Sequence, residues 1–566
     1  MKRFLASLLA VALVAATAMH SPARTLAAAE NSKPVAVLSI ASYDRVMADV
    51  AMFGELAGNP DLAQNLEGML KLFTQGQGLA GLDQKRPWCV GVLTDDVSFQ
   101  PLVYLPVDDV KQLLESLAGL IGEAEEAGDG LYQLNVFGQE IVVKEANKWA
   151  IVGQAVDAVN AAPAEPTKLL DGMDTNYDVA IRLYVQNIPE VYRSLAIDQL
   201  RMGVESGLGR TPDEDDAQYE ARRAITEKQL DALTTAISDI DQVTLGAAVD
   251  IAAKTAHIDL SITAVPGSKS AKQMAQMKAV PSAFSGFIAP DAAASLNITT
   301  EIAKDDASQI AAALTTIRSS AMDHIENESK LEDDGSKQLA KEMLGEVFDA
   351  LQATLESGKI DAAATLNLSD KSMALVVGAY IAEPQKLEDA LQKFAKLAES
   401  KPDFPGIKFN ADKHGDIRFH TASIPVPQDK SIAKVLGEKL DVAVGIGTQS
   451  VYLALGTDSL AMAKSLIDKS KAASSTPLPP FQLNVSLTPV FQFATAMQAE
   501  EDREKLKVWS DELAKAAGKD KVTLVVKPEE AGLTIRLEAQ EGVLRLLANI
   551  GKMATAAGGG GFPGAQ

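Results

Sequence analysis

The chain has 566 residues, 47% of them hydrophobic and 23% charged, with a formal net charge of −23 and a single cysteine. The apolar share excludes wholesale disorder, the acidity excludes nucleic acid and anionic lipid surfaces as partners, and one cysteine excludes an internal disulfide. At the usual ~100–200 residues per domain, the length requires more than one core.

The N-terminus reads Met1-Lys2-Arg3, runs apolar from Phe4 to Ala16, and then turns small and polar. A positive start, a short apolar stretch and a small-x-small site are the marks of a secretory signal peptide, assigned here to residues 1–29. Cleavage after Ala18 or after Ala29 fits, and Ala29 agrees better with a folded pattern that starts at Lys33–Val35. The apolar run is shorter than the ~20 residues a membrane span needs. The mature chain is therefore expected to be periplasmic or secreted, with no integral membrane segment after leader cleavage.

Residues 33–266 read as one α+β domain, 267–283 as a linker, 284–554 as a second α+β domain, and 555–566 as a Gly-rich disordered tail. The second domain is read as an internal duplicate of the first. Arg182–Pro189 aligns without a gap to Gln482–Pro489, both strand alternations leading into a proline that opens a helix. Val103–Leu117 pairs with Tyr380–Phe394, Trp149–Gly153 with Tyr452–Gly456, and Val243-Thr-Leu with Val522-Thr-Leu, in the same order. Each half then reads β-αα-ββ-α-ββ(β)-α-β-αα-ββ-α, giving mostly antiparallel sheets with helices packed on one face. Glycines Gly138 and Gly415 mark tight turns. Either these two hairpins correspond, or Ile141–Val143 corresponds to Val442–Val444; the residues leave both alignments open. Asp108, Asp305 and Asp458 are expected to cap or favour helix starts.

Few residues invite chemistry. Cys89, in the apolar run Trp88–Leu93, reads as a buried small hydrophobe. His257 is expected to be exposed, on the strand face opposite Ile258 and Leu260, and His324 to be solvated in a charged helix. The one cluster with metal-ligand chemistry is Asp412, His414, Asp416 and His420, where two histidines and two carboxylates could hold zinc or copper. Lys413 and Arg418 stand among them, and a solvated hairpin accounts for the same pattern. Acid pairs at Asp95-Asp96, Asp108-Asp109, Asp305-Asp306 and Asp333-Asp334, and the run Asp213–Asp216, match neither a calcium loop nor, by adjacency alone, a glycosidase pair. No P-loop and no nucleophile elbow is present. Catalytic, cofactor-binding and metal residues are accordingly assigned as none, and no cofactor is expected.

The strand–Pro–helix segments Leu183–Val191 and Leu483–Phe491, with the strand ends Trp149–Gly153 and Tyr452–Gly456, resemble exported bacterial proteins of unknown function of the planctomycete type, which carry a duplicated α+β unit. The resemblance implies an exported, non-enzymatic chain and brings no site residues with it. The expectation is a binding or structural protein with an unknown ligand or protein partner. The alternatives are an extracytoplasmic hydrolase using carboxylates between the halves, or a carrier of an apolar ligand such as a lipid.

Overall fold

The computed structural model describes residues 32–556 except 137, 164, 211–215, 329–332, 400, 402–403, 427–436 and 499. The expected leader at residues 1–29, the Gly-rich tail from 557 onward and Asp213–Asp215 lie outside the described residues. The fold is mixed α+β, and it divides into two compact units: residues up to Lys272 together with those from Leu547 onward, and Gln273–Leu546.

The first unit is built on ten antiparallel strands: β1 (Lys33–Ile40), β2 (Trp88–Thr94), β3 (Phe99–Pro106), β4 (Glu125–Gly128), β5 (Leu131–Val136), β6 (Gln139–Ala146), β7 (Trp149–Gly153), β8 (Val179–Tyr184), β9 (Ile240–Asp250) and β10 (Thr255–Ala264). Their order across the sheet is β4-β5-β6-β7-β3-β2-β1-β8-β9-β10. Among the described residues six helices of six residues or more are inserted between the strands: α1 (Tyr43–Leu56), α2 (Leu62–Phe73), α3 (Val110–Ile121), α4 (Val156–Ala161), α5 (Glu190–Gly207) and α6 (Asp216–Asp239). Helix starts follow local chemistry. Ser42 accepts the Arg45 amide at the head of α1, and Asp109 accepts the Gln112 amide at the head of α3. Asp109 therefore caps α3, and not the neighbouring Asp108, because the capping side chain must sit one residue before Val110.

Two apolar layers hold this unit, on opposite faces of the sheet. On one face Val37, Cys89, Leu102, Tyr104 and Ile151 pack against Val159 of α4 and against Leu170 and Met173 of two short helical turns. On the other, α3 lays Val110, Leu113, Leu114 and Leu117 on Leu134, Ile141, Val143 and Ala150. The parity of adjacent residues such as Val142 and Val143, or Ala150 and Ile151, puts the two clusters on different faces.

Among the described residues the large sheet of the second unit has ten strands as well: β11 (Ala294–Glu301), β12 (Lys359–Leu368), β13 (Met373–Tyr380), β14 (Lys408–His414), β15 (Ile417–Pro425), β16 (Lys439–Ile446), β17 (Ser450–Gly456), β18 (Phe481–Ser486), β19 (Lys521–Glu529) and β20 (Gly532–Ala539). Their order is β14-β15-β16-β17-β13-β12-β11-β18-β19-β20, which repeats that of the first unit strand for strand. Helices α7 (Lys304–Glu328), α8 (Asp334–Glu356), α9 (Pro384–Ala398), α10 (Ser459–Ala472), α11 (Leu487–Met497) and α12 (Glu500–Ala514) fall in the same connections as α1–α6, and α13 (Glu541–Ala556), whose residues from Leu547 onward count with the first unit, follows β20. Pro384 opens α9 at a first-turn position, where its missing amide costs nothing. Asp458 precedes α10 in a left-handed conformation and makes no side-chain cap.

This order bears on the ambiguous hairpin. Gly138 turns between β5 and β6, whereas Gly415 turns between β14 and β15, whose place in the first unit is taken by β4 and β5. The two glycines hold different places in the strand order, whereas β6, with Ile141–Val143, and β16, with Val442–Val444, hold the same place. At the end of β17, Gly456 has φ +98°, and a Cβ there would meet the Met373 carbonyl at 2.0 Å, so only glycine fits.

Candidate functional site

The hairpin that carries the possible metal ligands is split by its own register. Asp412 lies opposite Phe419 and His414 opposite Ile417, whereas Lys413 lies opposite Arg418. Asp412 and His414 therefore point with the core residues Ile417 and Phe419 toward α10, where Lys464 Nζ donates to Asp412 at 2.5 Å and His414 Nε2 lies 2.7 Å from Asp468. The hydrogen bond from Lys464 holds the Asp412 carboxyl below the usual carboxylate range. Arg418 and His420 point the other way, onto Glu388 of α9, and Asp416 accepts a hydrogen bond from Thr448. Among the described residues no group of three or more metal-ligating side chains converges.

His420 is buried. Its Nδ1 accepts the Asn410 amide at 3.0 Å, its Nε2 lies 3.2 Å from Glu388 Oε1, and the Phe409 ring leans on it. Asn410 has φ +52° at a break in the β14–β15 register, so the bulge aims its N–H at the imidazole. Burial, aided by Arg418 and opposed by Glu388, lowers the imidazole pKa and keeps the ring neutral, as an Nδ1 acceptor must be. These contacts fasten α9 to the sheet.

The acid pairs have local duties. Asp95 closes its own turn by accepting the Val97 and Ser98 amides, and Asp333 caps α8 through the Ser336 amide. Cys89 is fully buried, and burial pushes its thiol up to about 12, so it is inert packing. His324 is exposed.

Buried carboxylates occur in places that the spacing did not single out. In the first unit Asp178 is ion-paired with Arg45 and accepts the Val249 amide at 2.6 Å. Asp49, one α1 turn from Arg45, is also buried; desolvation, with Asp178 nearby and Arg45 opposing, raises its pKa to about 7. In the second unit Asp361 is held by Ser282 Oγ at 2.6 Å and by the Ala283 amide, and Asp520 by the Thr488 amide.

The largest departure from expectation concerns which way the strands face. In β8, β9 and β10 the polar and small residues point inward and the apolar ones outward. Arg182 is turned in, its Nε donating to Thr244 Oγ1 at 2.9 Å, while the adjacent Ile181 is 46% exposed. Asp259 is 2% exposed and accepts the Tyr177 hydroxyl at 3.2 Å, while Ile258 is 49% exposed. The expectation of an exposed His257 is thus corrected: its side chain is 21% exposed and sits against the Tyr177 ring, 4.0 Å from Asp259. The strand has the expected period with the opposite face inward, because a single strand does not show which side a polar network will occupy.

Pairing registers extend this outward face over six strands. One row across the sheet is Val103, Val90, Leu38, Ile181, Leu245 and Leu260. A second is Pro101, Val92, Ala36, Leu183, Val243 and Ile262, and a third is Trp88, Ile40, Val179, Ala247 and Ile258. No polar residue interrupts any row, and none of these side chains is buried. The same pattern recurs in the second unit: Val377, Ala364, Leu296, Leu483, Leu524 and Leu537 form one row, with apolar rows to either side of it.

Fold and surface together define an α+β protein with an apolar sheet face that is most exposed along β8, β9 and β10. Among the described residues no helix is long and apolar enough to cross a membrane. Comparison with models of protein families, with curated proteins and with solved structures gives no match for this chain.

Proposed function

We propose that the chain is an exported, non-enzymatic binding protein for an apolar ligand, which it holds against the outward face of its sheet. The observation that carries this reading is the inversion in β8–β10, where Val179, Ile181, Leu245 and Ile258 are each more than 40% exposed while Arg182, Thr244 and Asp259 are turned inward. Antiparallel sheets with one solvated face ordinarily put apolar residues inward and polar ones outward, and a contiguous exposed apolar patch marks an interaction site. The leader at Met1–Ala29 supports export, and the shared strand order of the two units supports a duplicated scaffold presenting the same kind of face twice.

The test is a fluorescence titration of the purified protein with N-phenyl-1-naphthylamine, an uncharged apolar dye. Saturable binding that falls at least tenfold in Leu245→Asp, with an unchanged circular dichroism spectrum, is the expected result. Absence of saturable binding, or a variant that binds like the parent, removes the proposal.

A carboxylate hydrolase is the second reading, and the buried neighbours Asp49 and Asp178 favour it. It requires that Asp49→Asn abolish hydrolysis of some ester or glycoside by the parent protein; a parent inert across a panel of nitrophenyl substrates eliminates it.

A further inference from the structure

Resting on that apolar-ligand reading, we infer that helix α5, with α6 behind it, is a lid for the outward face of the first unit. It stands off the face when the face is bare and seats on it when an apolar ligand is held there. Helix α5 is apolar on two opposite sides. Ile197, Leu200 and Val204 are half-buried on the side of α6, where Arg201 pairs with Asp231 at 3.1 Å. On the other side Val191, Leu195 and Met202, spaced as one helical stripe, are 76, 53 and 60% exposed. A helix that packs on one side alone needs a single stripe; a second stripe belongs to a second seat.

The first unit supplies that seat. The rings of Tyr192 and Phe99 lie 5.3 Å apart, and Phe99 shares the outward side of β3 with Pro101 and Val103, so α5 starts on the outward side of the sheet. The two helices leave from the end of β8 and return directly into β9, the strands that carry the half-exposed Ile181 and Leu245. The 18 residues of α5 measure about 27 Å at ~1.5 Å per residue, and Gln242–Asp250 of β9 cover about 27 Å at ~3.4 Å per residue. Two helices, each ~10 Å wide, match the roughly 19 Å taken by four strands at ~4.8 Å, namely β1, β8, β9 and β10.

The second unit holds the seated counterpart. There α11, in the same connection as α5, packs against β12. Its Val490, Phe491, Phe493 and Met497 are partly buried, and so are the outward residues Phe481, Leu483, Leu524 and Val526 of β18 and β19. Helix α11 carries no charged residue, whereas α5 places Asp198 within its apolar stripe. Seating α5 on a bare face takes that carboxylate out of water among aliphatic side chains, which opposes closure. A ligand on the face adds apolar surface against which Val191, Leu195 and Met202 are buried, and that gain offsets the desolvation.

The experiment measures, by double electron–electron resonance on the full chain, the distance between spin labels at Glu205→Cys and Ala253→Cys. The first is near the far end of α5 and the second in the β9–β10 turn, both exposed, while the native Cys89 is buried and takes no label. N-phenyl-1-naphthylamine is the apolar probe, its binding followed by its own fluorescence. Its addition is expected to shorten the label distance by on the order of 10 Å, as the far end of a ~27 Å helix comes down on the strands. Asp198→Leu is expected to show the short distance without dye. Bound dye with an unchanged distance overturns the lid and leaves the apolar-ligand reading standing. An Asp198→Leu chain that keeps the long distance without dye overturns the part given to the carboxylate. Absence of saturable dye binding overturns the lid and the reading beneath it together.

Discussion

Ile181 lies directly opposite Leu245 in the β8–β9 ladder, and both side chains are close to half exposed. A cross-strand aliphatic pair normally marks a core. Here the same two strands send Arg182 and Thr244 inward, where the guanidinium finds the threonine hydroxyl. The pair therefore belongs to a surface, and it separates folding from binding in a way that mutation can exploit.

On the outward face, Ile181→Asp is expected to change unfolding stability by no more than about 0.5 kcal/mol, as for other surface substitutions. On the inward face, Arg182→Ala removes the partner of Thr244 and is expected to cost about 1–3 kcal/mol. Urea denaturation followed by circular dichroism compares the two. A larger loss in Ile181→Asp than in Arg182→Ala contradicts the assignment of faces.

His420 gives the second unit a pH dependence whose sign follows from its environment. Its folded pKa lies below the ordinary value of 6.5 because burial outweighs Glu388. The stability this contributes is present above pH 6.5 and is lost as pH falls through the folded value, when the ring must take a proton against the Asn410 amide. The thermal midpoint of the parent should drop more between pH 7.5 and pH 5 than that of His420→Gln, which keeps an acceptor and cannot titrate. Equal drops refute the role given to the ring.

Asp49 has the opposite sign. Its folded pKa is raised to about 7 from 3.8, so the neutral acid favours the fold below pH 4 and that contribution is lost as pH rises through 7. Asp49→Asn is expected to stabilise the protein at pH 8 by on the order of 2 kcal/mol and to have little effect at pH 4. Denaturant midpoints at the two pH values decide it.

Cys89 should stay silent toward a thiol reagent such as dithiobis(nitrobenzoate) at pH 8 in the native protein and react fully in guanidinium, because its sulfur is fully buried and its thiolate disfavoured. Rapid reaction of the native protein would contradict its place in the core beside Val37 and Tyr104.

Cleavage is checked separately, by intact mass of the protein recovered from an exporting host. A first residue of Glu30 or Met19 is expected, and an unprocessed Met1 opposes the leader assignment.

Much of the architecture was legible in the residues alone. Strand and helix order followed from two periodicities, apolar residues every second position in Thr255–Ala264 and a helical stripe at Val110, Leu113, Leu114 and Leu117. The mixed α+β class with antiparallel sheets followed from that order. Three things needed the folded chain. The hairpin residues Asp412, His414, Asp416 and His420 stand close in sequence, but strand parity sends the first two to α10 and His420 to α9, so proximity along the chain did not become convergence. The different places of Gly138 and Gly415 depended on counting strands across the sheet, which no local turn signal contains. The direction of the apolar face was invisible as well, since period two is unchanged when a strand is turned over. Local sequence thus determined what each segment would become, because propensity and periodicity act over a few residues. Tertiary pairing alone decided which face met water, because that choice rests on partners as distant as Arg182 and Thr244, or Tyr177 and Asp259.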